Sequence, residues 1–112
     1  MYKIIHNPRC TKSRQTLALL EEESDHVEII KYLEGELTSD LLGFTFENYK
    51  GNHEELIRNK EDEFQKVKID FNNSESFTKA VLKYPKILER PIVIKGKKVV
   101  IGRPPENVKV LF

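Results

Sequence analysis

The sequence predicts an α/β fold with a mixed four-stranded sheet, and two segments of the chain carry that prediction. Residues 2–31 have the order strand, helix, strand, and such a crossover makes the two strands parallel with a right-handed connection. Residues 91–101 contain two short β-branched runs around a glycine, which is the pattern of an antiparallel hairpin. Because the segment between them is mainly helical, we expect a helical insertion between the strand–helix–strand unit and the hairpin.

Each element of the first segment follows from a local pattern. Residues 2–6 are apolar and β-branched and are followed by an Asn-Pro break, as in a strand that enters a loop. Good helix formers begin at about Thr11 and close with an acidic run at 21–23, which predicts a helix that starts at or just after Cys10. Residues 27–31 alternate loosely and predict the second strand.

The middle of the chain, residues 35–84, carries three helical patterns. The first contains residues 40–42, and the second covers 54–60 behind an Asn52 cap with Glu55 at the third position. The third has apolar residues at helical spacing, namely Phe77, Ala80, Val81 and Tyr84. Residues 61–73 fit neither period, so their structure is left open.

The last segment predicts the hairpin and a closing helix. Strands at 91–94 and 99–101 flank the four residues Lys-Gly-Lys-Lys, which place a glycine in a tight turn. Residues 102–106 end the second strand and start a short helix, because proline is tolerated in a first helical turn. This order of elements is that of a thioredoxin/glutaredoxin-like fold.

Composition restricts the classes of function. The chain has 112 residues, of which 38% are hydrophobic and 33% charged, and its net charge is +1. These values predict one soluble domain over residues 1–112 with no general affinity for nucleic acid or anionic lipid. No apolar run approaches the roughly 20 residues that cross a bilayer, and the first residues do not have the regions of a secretory signal. We expect a cytoplasmic, monomeric protein with no membrane contact.

Metal and nucleotide sites are not expected either. One cysteine and three scattered histidines do not have the spacing of metal ligands. The chain also has no glycine motif of the nucleotide-binding type, so we expect no bound cofactor.

Cys10 is the only cysteine, and its position predicts a reactive thiolate. A lone cysteine in a cytosolic protein is more often buried and inert. Here the residue stands between a strand end and a helix start, where unpaired backbone N–H groups and the helix dipole stabilise a thiolate. Arg9 and Lys12 add positive charge nearby, as a protonated His6 would. We therefore predict that the pKa of Cys10 lies below the ordinary value of about 8.5.

The segment from Cys10 to Ser13 is a C-x-x-S motif, in which a hydroxyl replaces the second thiol of C-x-x-C. No internal disulfide can form, so an oxidised Cys10 must be resolved by an external thiol, such as glutathione or a protein dithiol. Ser13 either donates a hydrogen bond to the thiolate or serves only as a residue of the first helical turn.

Three arginines, Arg58, Arg90 and Arg103, are candidates for binding an anion. Taken singly, each is more often a solvated surface charge. Arg90 and Arg103 precede prolines, which constrain the chain, and the predicted hairpin places both at the same edge. Guanidinium groups that converge there would grip a tetrahedral oxyanion beside the helix N-terminus.

Pro91 is a candidate for a cis peptide bond. Only about 5 to 6% of X-Pro bonds are cis. The expectation rises in a thioredoxin-like fold, where a cis-proline lies opposite the reactive cysteine.

Five sequence blocks occur in order along the chain: HNPRCTKSR at 6–14, YLE at 32–34, ELIR at 55–58, ERPIV at 89–93 and IGRPPE at 101–106. Together they resemble the ArsC family of glutaredoxin-dependent arsenate reductases. The chain is similar to the short, chromosomal-type branch of that family, so the resemblance does not by itself identify the physiological substrate.

The resemblance implies a mechanism and a role for each matching residue. Cys10 would attack arsenate to form a covalent thiol–arsenate adduct, and glutathione, as co-substrate, would form a mixed disulfide that glutaredoxin removes as arsenite is released. His6 would help to activate the cysteine. The oxyanion would be bound by three arginines, Arg58, Arg90 and Arg103. Supporting positions would be Asn7, Arg9 and Pro91.

Two other readings stay open at this point. One is a glutathione-dependent monothiol oxidoreductase that acts on protein mixed disulfides, for which Arg58 and Arg103 would be incidental. The other is a non-enzymatic regulator similar to the Spx proteins, which share the fold and bind RNA polymerase. Those regulators usually carry C-x-x-C, whereas Ser13 removes the resolving thiol here.

Overall fold

The computed structural model describes all 112 residues, with four strands and three α-helices. The strands are β1 (Tyr2–His6), β2 (Val27–Lys31), β3 (Ile92–Lys95) and β4 (Lys98–Ile101), and the helices are α1 (Thr11–Glu23), α2 (Ser39–Asn48) and α3 (Ser74–Lys83). Short 3-10 helices lie at Tyr32–Glu34, His53–Leu56, Asp62–Lys66, Pro85–Ile87 and Pro105–Leu111. No helix combines the length and the apolar character that crossing a membrane requires.

The four strands form one mixed sheet in the order β2-β1-β3-β4. Strands β1 and β2 are parallel, whereas β3 is antiparallel to both β1 and β4. The predicted α/β fold and the predicted bounds of β1, α1 and β2 are confirmed. The β3–β4 hairpin is confirmed as well, and Gly96 adopts a φ of 60° in its turn, a left-handed conformation that costs glycine little.

Contacts divide the chain into two compact units, residues 1–36 with 90–112 and residues 37–89. The first contains the sheet and α1, and the second contains α2 and α3. The first unit has a buried apolar cluster formed by Tyr2, Ile4, Leu20, Val93, Val108 and Leu111. The earlier expectation of a single domain stays a prediction.

In the second unit, α2 packs on α3 through aromatic side chains. The rings of Phe46 and Phe77 lie 5.2 Å apart between centroids, and His53 stacks on Phe46 at 3.8 Å. The predicted helices around residues 40–42 and 77–84 are confirmed as α2 and α3, with the last residue, Tyr84, just after the end of α3.

The predicted helix over 54–60 is wrong, because only a 3-10 turn at His53–Leu56 forms there. Asn52 does cap it by accepting a hydrogen bond from the backbone N–H of Glu54 at 3.0 Å. The chain then leaves the helical conformation because Ile57 pairs with Leu88 in an antiparallel bridge. This pairing with a distant segment satisfies the backbone groups that a longer helix would have used.

The stretch left open, residues 61–73, contains the 3-10 helix Asp62–Lys66. The predicted closing helix is also of the 3-10 type, over Pro105–Leu111, and Pro105 is its first residue. Its buried residues Val108 and Leu111 belong to the cluster of the first unit.

Candidate active site around Cys10

Cys10 is the N-cap residue of α1, as the sequence predicts. Its backbone is extended, with φ −93° and ψ 122°, and its N–H donates to the carbonyl of Asn7 at 3.0 Å, which closes the loop between β1 and α1 into a turn. The side chain makes no capping hydrogen bond to the helix. The thiol is therefore presented at the N-terminus of a 13-residue helix, where the helix dipole favours a negative charge.

Two side chains hold this loop in place. Asn7 accepts a hydrogen bond from the backbone N–H of Arg9 through its Oδ1 atom at 3.0 Å. Arg14 donates from Nη1 to the carbonyl of Pro8 at 2.9 Å and from Nη2 to the hydroxyl of Thr11 at 3.2 Å. Asn7 thus has a visible structural role, whereas the Arg9 side chain is exposed and its supporting role stays a prediction.

The sulfur of Cys10 lies among hydrogen-bond donors. The Arg103 guanidinium donates from Nη1 to Sγ at 3.6 Å, and the backbone N–H of Ser13 and the Arg90 side chain also stabilise the thiolate form. Burial raises the pKa of Cys10, but the Ser13 N–H and the two arginines together outweigh that effect. The net result is a thiol pKa below the ordinary value, in the direction that the sequence predicts.

His6 and Ser13 form a buried pair beside the thiol. The Ser13 hydroxyl lies 2.6 Å from Nδ1 of His6 and accepts a hydrogen bond from the backbone N–H of Asn7 at 3.1 Å. Burial, with Lys31 and Arg14 nearby, lowers the pKa of His6, so the imidazole is neutral at neutral pH.

The Ser13 hydroxyl contacts His6 and the backbone N–H of Asn7, and the Ser13 backbone N–H lowers the pKa of Cys10. The two expected uses of the hydroxyl, toward the thiolate or only within the first helical turn, both stay predictions. His6 adds no positive charge at neutral pH and contacts Ser13.

Arg90 and Arg103 stand together at the end of the hairpin. Ile92 pairs with Ile101 at that end, so the residues that precede β3 and follow β4 are neighbours, as the sequence predicts. Nη1 of Arg103 also donates to the carbonyl of Arg90 at 3.3 Å. The Arg90–Pro91 bond is cis, as expected, and Arg103–Pro104 is a second cis bond that the sequence did not indicate.

Arg58 belongs to the second unit, residues 37–89. Its backbone N–H donates to the carbonyl of Ile87 at 2.6 Å, beside the bridge that ends the 3-10 turn. Its Nη1 atom is buried and lies 3.6 Å from the Glu61 carboxylate, which is an ion-pair distance rather than a hydrogen bond. The role of Arg58 toward an oxyanion stays a prediction.

The remaining titratable groups do not form a metal centre. No group of three or more His, Cys, Asp or Glu side chains lies close enough to hold a metal ion. Burial and the neighbouring Glu55 raise the pKa of Tyr49 to about 12.

Comparison with known proteins places this geometry in a family. A model of the ArsC family matches residues 5–111. The chain belongs to the ArsC family. A relative in Escherichia coli, the uncharacterized protein YfgD, is 41% identical over 95% of this chain and 92% of its own length. An arsenate reductase of Neisseria meningitidis is 36% identical over 98% of this chain and 97% of its own length.

Solved structures agree with the family assignment. The arsenate reductase from Vibrio cholerae superimposes with a TM-score of 0.84 at 33% identity, covering 99% of this chain and 97% of the other. The fold of this ArsC protein is thereby shown to be thioredoxin-like, as the sequence predicts.

Three residues near the site escaped the sequence analysis. They are Arg14, Thr16 and Asn107, whose side chains donate hydrogen bonds to backbone carbonyls of the β1–α1 loop or of the residues that follow β4. Arg14 lies within the first matching block, so the block itself was the available signal. Thr16 and Asn107 have no local pattern that distinguishes them from other polar residues.

Proposed function

We propose that this protein reduces arsenate to arsenite, with Cys10 as the nucleophile and glutathione and glutaredoxin as the source of electrons. Membership of the ArsC family and relatives named arsenate reductase support the reaction. The observation that carries the proposal is the contact between Cys10 and Arg103, which joins an activated sulfur to a fixed cation.

The surroundings of Cys10 suit an oxyanion. A guanidinium offers five N–H donors in a planar fork that matches the oxygens of a tetrahedral anion. Arg103 and Arg90 both reach the sulfur, so an anion whose central atom is under attack would lie within reach of the same donors. The N-terminus of α1 adds a favourable field for negative charge. Arg58 is proposed as the third arginine of the set.

The reaction balances with two thiols as reductants. The Cys10 thiolate attacks arsenic, a sulfur–arsenic bond forms, and one oxygen of arsenate leaves as water after it has taken up protons. The glutathione thiolate then attacks Cys10 sulfur and forms a disulfide. The electron pair of the sulfur–arsenic bond stays on arsenic, which leaves as arsenite reduced by two electrons.

The mixed disulfide must then be removed from Cys10. No second thiol is available in this chain, because Cys10 is its only cysteine. A glutaredoxin thiolate takes over the glutathionyl group by thiol–disulfide exchange and returns Cys10 to the thiolate form. We further propose that the protein works in a reducing cytoplasm, as a monomer, and uses no bound cofactor.

The test is arsenate-dependent formation of arsenite in the presence of glutathione, glutaredoxin, glutathione reductase and NADPH. Wild type should turn over arsenate, and Cys10→Ser should fall to the rate without protein. A wild-type rate equal to that of Cys10→Ser would overturn the proposal. Running the same components with a glutathionylated peptide in place of arsenate and glutaredoxin tests the monothiol oxidoreductase. Turnover of the peptide alone would favour that activity instead.

A matched pair of substitutions tests the arginine set. Arg58→Ala should raise the KM for arsenate if Arg58 binds the oxyanion. The control is Lys60→Ala, which removes an exposed cation two residues away and should leave the KM unchanged. An equal KM in wild type and Arg58→Ala would remove Arg58 from the proposed set while leaving the Cys10 chemistry intact.

A further inference from the structure

The backbone that carries Arg103 is fixed by contacts with distant residues. The N–H of Gly102 donates to the carbonyl of Pro91 at 2.9 Å, which ties this segment to the start of β3. The carbonyl of Gly102 accepts a hydrogen bond from the hydroxyl of Thr16 at 3.1 Å. Both polar groups of the residue before Arg103 are therefore held by other parts of the first unit.

Thr16 is well placed for this function. It is fully buried in α1, six residues after Cys10, and so lies about 9 Å along the same helix at 1.5 Å per residue. Its hydroxyl is shared between the carbonyl of Lys12 at 2.8 Å, within the helix, and that of Gly102. One helix thus carries both the nucleophile and a hydrogen bond to the residue that precedes Arg103.

The space around Gly102 makes this contact close. A Cβ atom there would lie 2.7 Å from Oγ1 and 2.9 Å from Cγ2 of Thr16, and 2.9 Å from Cγ of Pro91. Only glycine lets the backbone approach α1 so closely.

Asn107 holds the other side of Arg103. Its Nδ2 atom donates to the carbonyl of Arg103 at 3.0 Å and to that of Ile101 at 3.2 Å. The carbonyls of Gly102 and Arg103 therefore both accept side-chain hydrogen bonds. At the end of the Arg103 side chain, Nη1 lies 3.6 Å from Sγ of Cys10 and 3.3 Å from the Arg90 carbonyl.

From these contacts we infer that Thr16 and Asn107 are positioning residues, which fix the Gly102–Arg103 backbone and so hold the Arg103 guanidinium against the Cys10 sulfur. Neither residue touches the sulfur in this network, and each acts through Arg103. The inference does not depend on the proposed function, because the reactivity of Cys10 can be measured without arsenate.

The experiment measures the pKa of Cys10 from the pH dependence of its alkylation by iodoacetamide. Thr16→Val keeps the branched shape and removes the hydroxyl, whereas Thr16→Ser keeps the hydroxyl. We expect Thr16→Val to raise the pKa of Cys10 and to slow alkylation at pH 7 by about two- to tenfold, the size of effect expected for one hydrogen bond. Thr16→Ser should stay close to wild type.

Thr45→Val is the matched control. Thr45 is also a fully buried helical threonine, and its hydroxyl donates to the carbonyl of Leu41 at 2.8 Å within α2. Its replacement removes the same atom from the same kind of environment, so it should leave the pKa of Cys10 unchanged. An equal pKa rise in Thr45→Val and Thr16→Val would show a general loosening of the protein and would overturn the inference.

Asn107→Ala gives a second measurement in case Thr16→Val does not fold, because the Asn107 side chain is exposed. It should also raise the pKa of Cys10, and in an Arg103→Ala background neither change should add to the effect, since residues that act as one unit are not additive. An unchanged pKa in every folded variant would overturn the inference. Absence of arsenate turnover in wild type would instead contradict the proposed function, and the comparison of Cys10 pKa values among the variants would still test the inference.

Discussion

The two ends of the β3–β4 hairpin both hold a cation, but they use it differently. At the turn end, Lys95 donates to the carbonyl of Leu111 at 3.1 Å and to the Tyr2 hydroxyl at 3.3 Å, and its ammonium lies 4.8 Å from the centre of the Tyr2 ring. At the open end, Arg103 donates to a carbonyl and to the sulfur of Cys10.

The difference lies in the partner rather than in the cation. Every partner of Lys95 is a group that does not react, so the contact joins β3 to the closing 3-10 helix and has only a structural effect. Arg103 has one such partner and one nucleophile. The same pair of strands can therefore support a structural contact at one end and a chemical one at the other, and substitutions at matched positions should separate the two.

The largest difference is expected from Arg103→Ala. Loss of a hydrogen bond to a charged group costs about 1.5 to 3 kcal/mol, which corresponds to roughly 10- to 150-fold in the kcat/KM for arsenate. The measurement is steady-state kinetics in the coupled assay. Arg103→Lys keeps the charge but not the planar fork and should recover only part of the loss. Full activity in Arg103→Ala would mean that the contact with Cys10 has no role in turnover.

The next largest effects are expected from alanine substitutions of two glycines, one at each end of the hairpin, which should lower stability for different reasons. Gly102→Ala introduces a Cβ within 3 Å of Thr16 and Pro91, and such overpacking costs about 1 to 3 kcal/mol. Gly96→Ala meets no atom within 4 Å but must adopt a φ of 60°, which costs roughly 1 to 2 kcal/mol. Urea unfolding measures both free energies.

Activity distinguishes the two glycine variants more clearly than stability does. Gly102→Ala should lower kcat/KM as well as stability, because it displaces the residue beside Arg103. Gly96→Ala should lower stability alone. A fully active, folded Gly102→Ala variant would contradict the role assigned to this close approach.

A smaller effect is expected at the turn end from Lys95→Met, which keeps most of the aliphatic stem. Loss of the ammonium, with its contact to the Tyr2 ring and its two hydrogen bonds, should lower the free energy of unfolding by about 1 to 2 kcal/mol. The kcat/KM should equal that of wild type, since Lys95 contacts no reacting group. A clear fall in kcat/KM without a change in stability would contradict the separation of the two ends.

The smallest effect concerns the pH dependence of stability. Because the pKa of Cys10 is lower in the folded than in the unfolded protein, its contribution is fully present above the unfolded value of about 8.5 and is lost as the pH falls through the folded value. Wild type should therefore gain stability relative to Cys10→Ser as the pH rises across that window. Unfolding curves of both proteins between pH 5 and 9.5 measure the difference, and a constant difference would contradict the lowered pKa.

The features that the sequence predicts well are those that a local pattern determines. The β-branched run of β1, the loose alternation of β2 and the helix formers of α1 are each local patterns, so the bounds of these elements could be predicted correctly. The position of Cys10 at a helix N-terminus follows directly from those bounds.

The features that it predicts poorly depend on distant partners. The prediction of a helix at 54–60 was wrong because Ile57 pairs with Leu88, which lies 31 residues further along the chain. The hydrogen bond from Thr16 to Gly102 spans 86 residues and leaves no local signal. The contact between Ser13 and the buried His6 joins two elements, and no periodicity reveals it.

The buried His6–Ser13 pair also affects how the site responds to acid. Burial and the nearby cations Lys31 and Arg14 lower the pKa of His6, and the Ser13 N–H with Arg90 and Arg103 lowers that of Cys10. Ser13 contacts the ring through its hydroxyl and acts on the thiol through its backbone N–H. Proton uptake by either group therefore changes the surroundings of the same serine, and the fall of activity in acid should reflect both groups rather than the thiol alone.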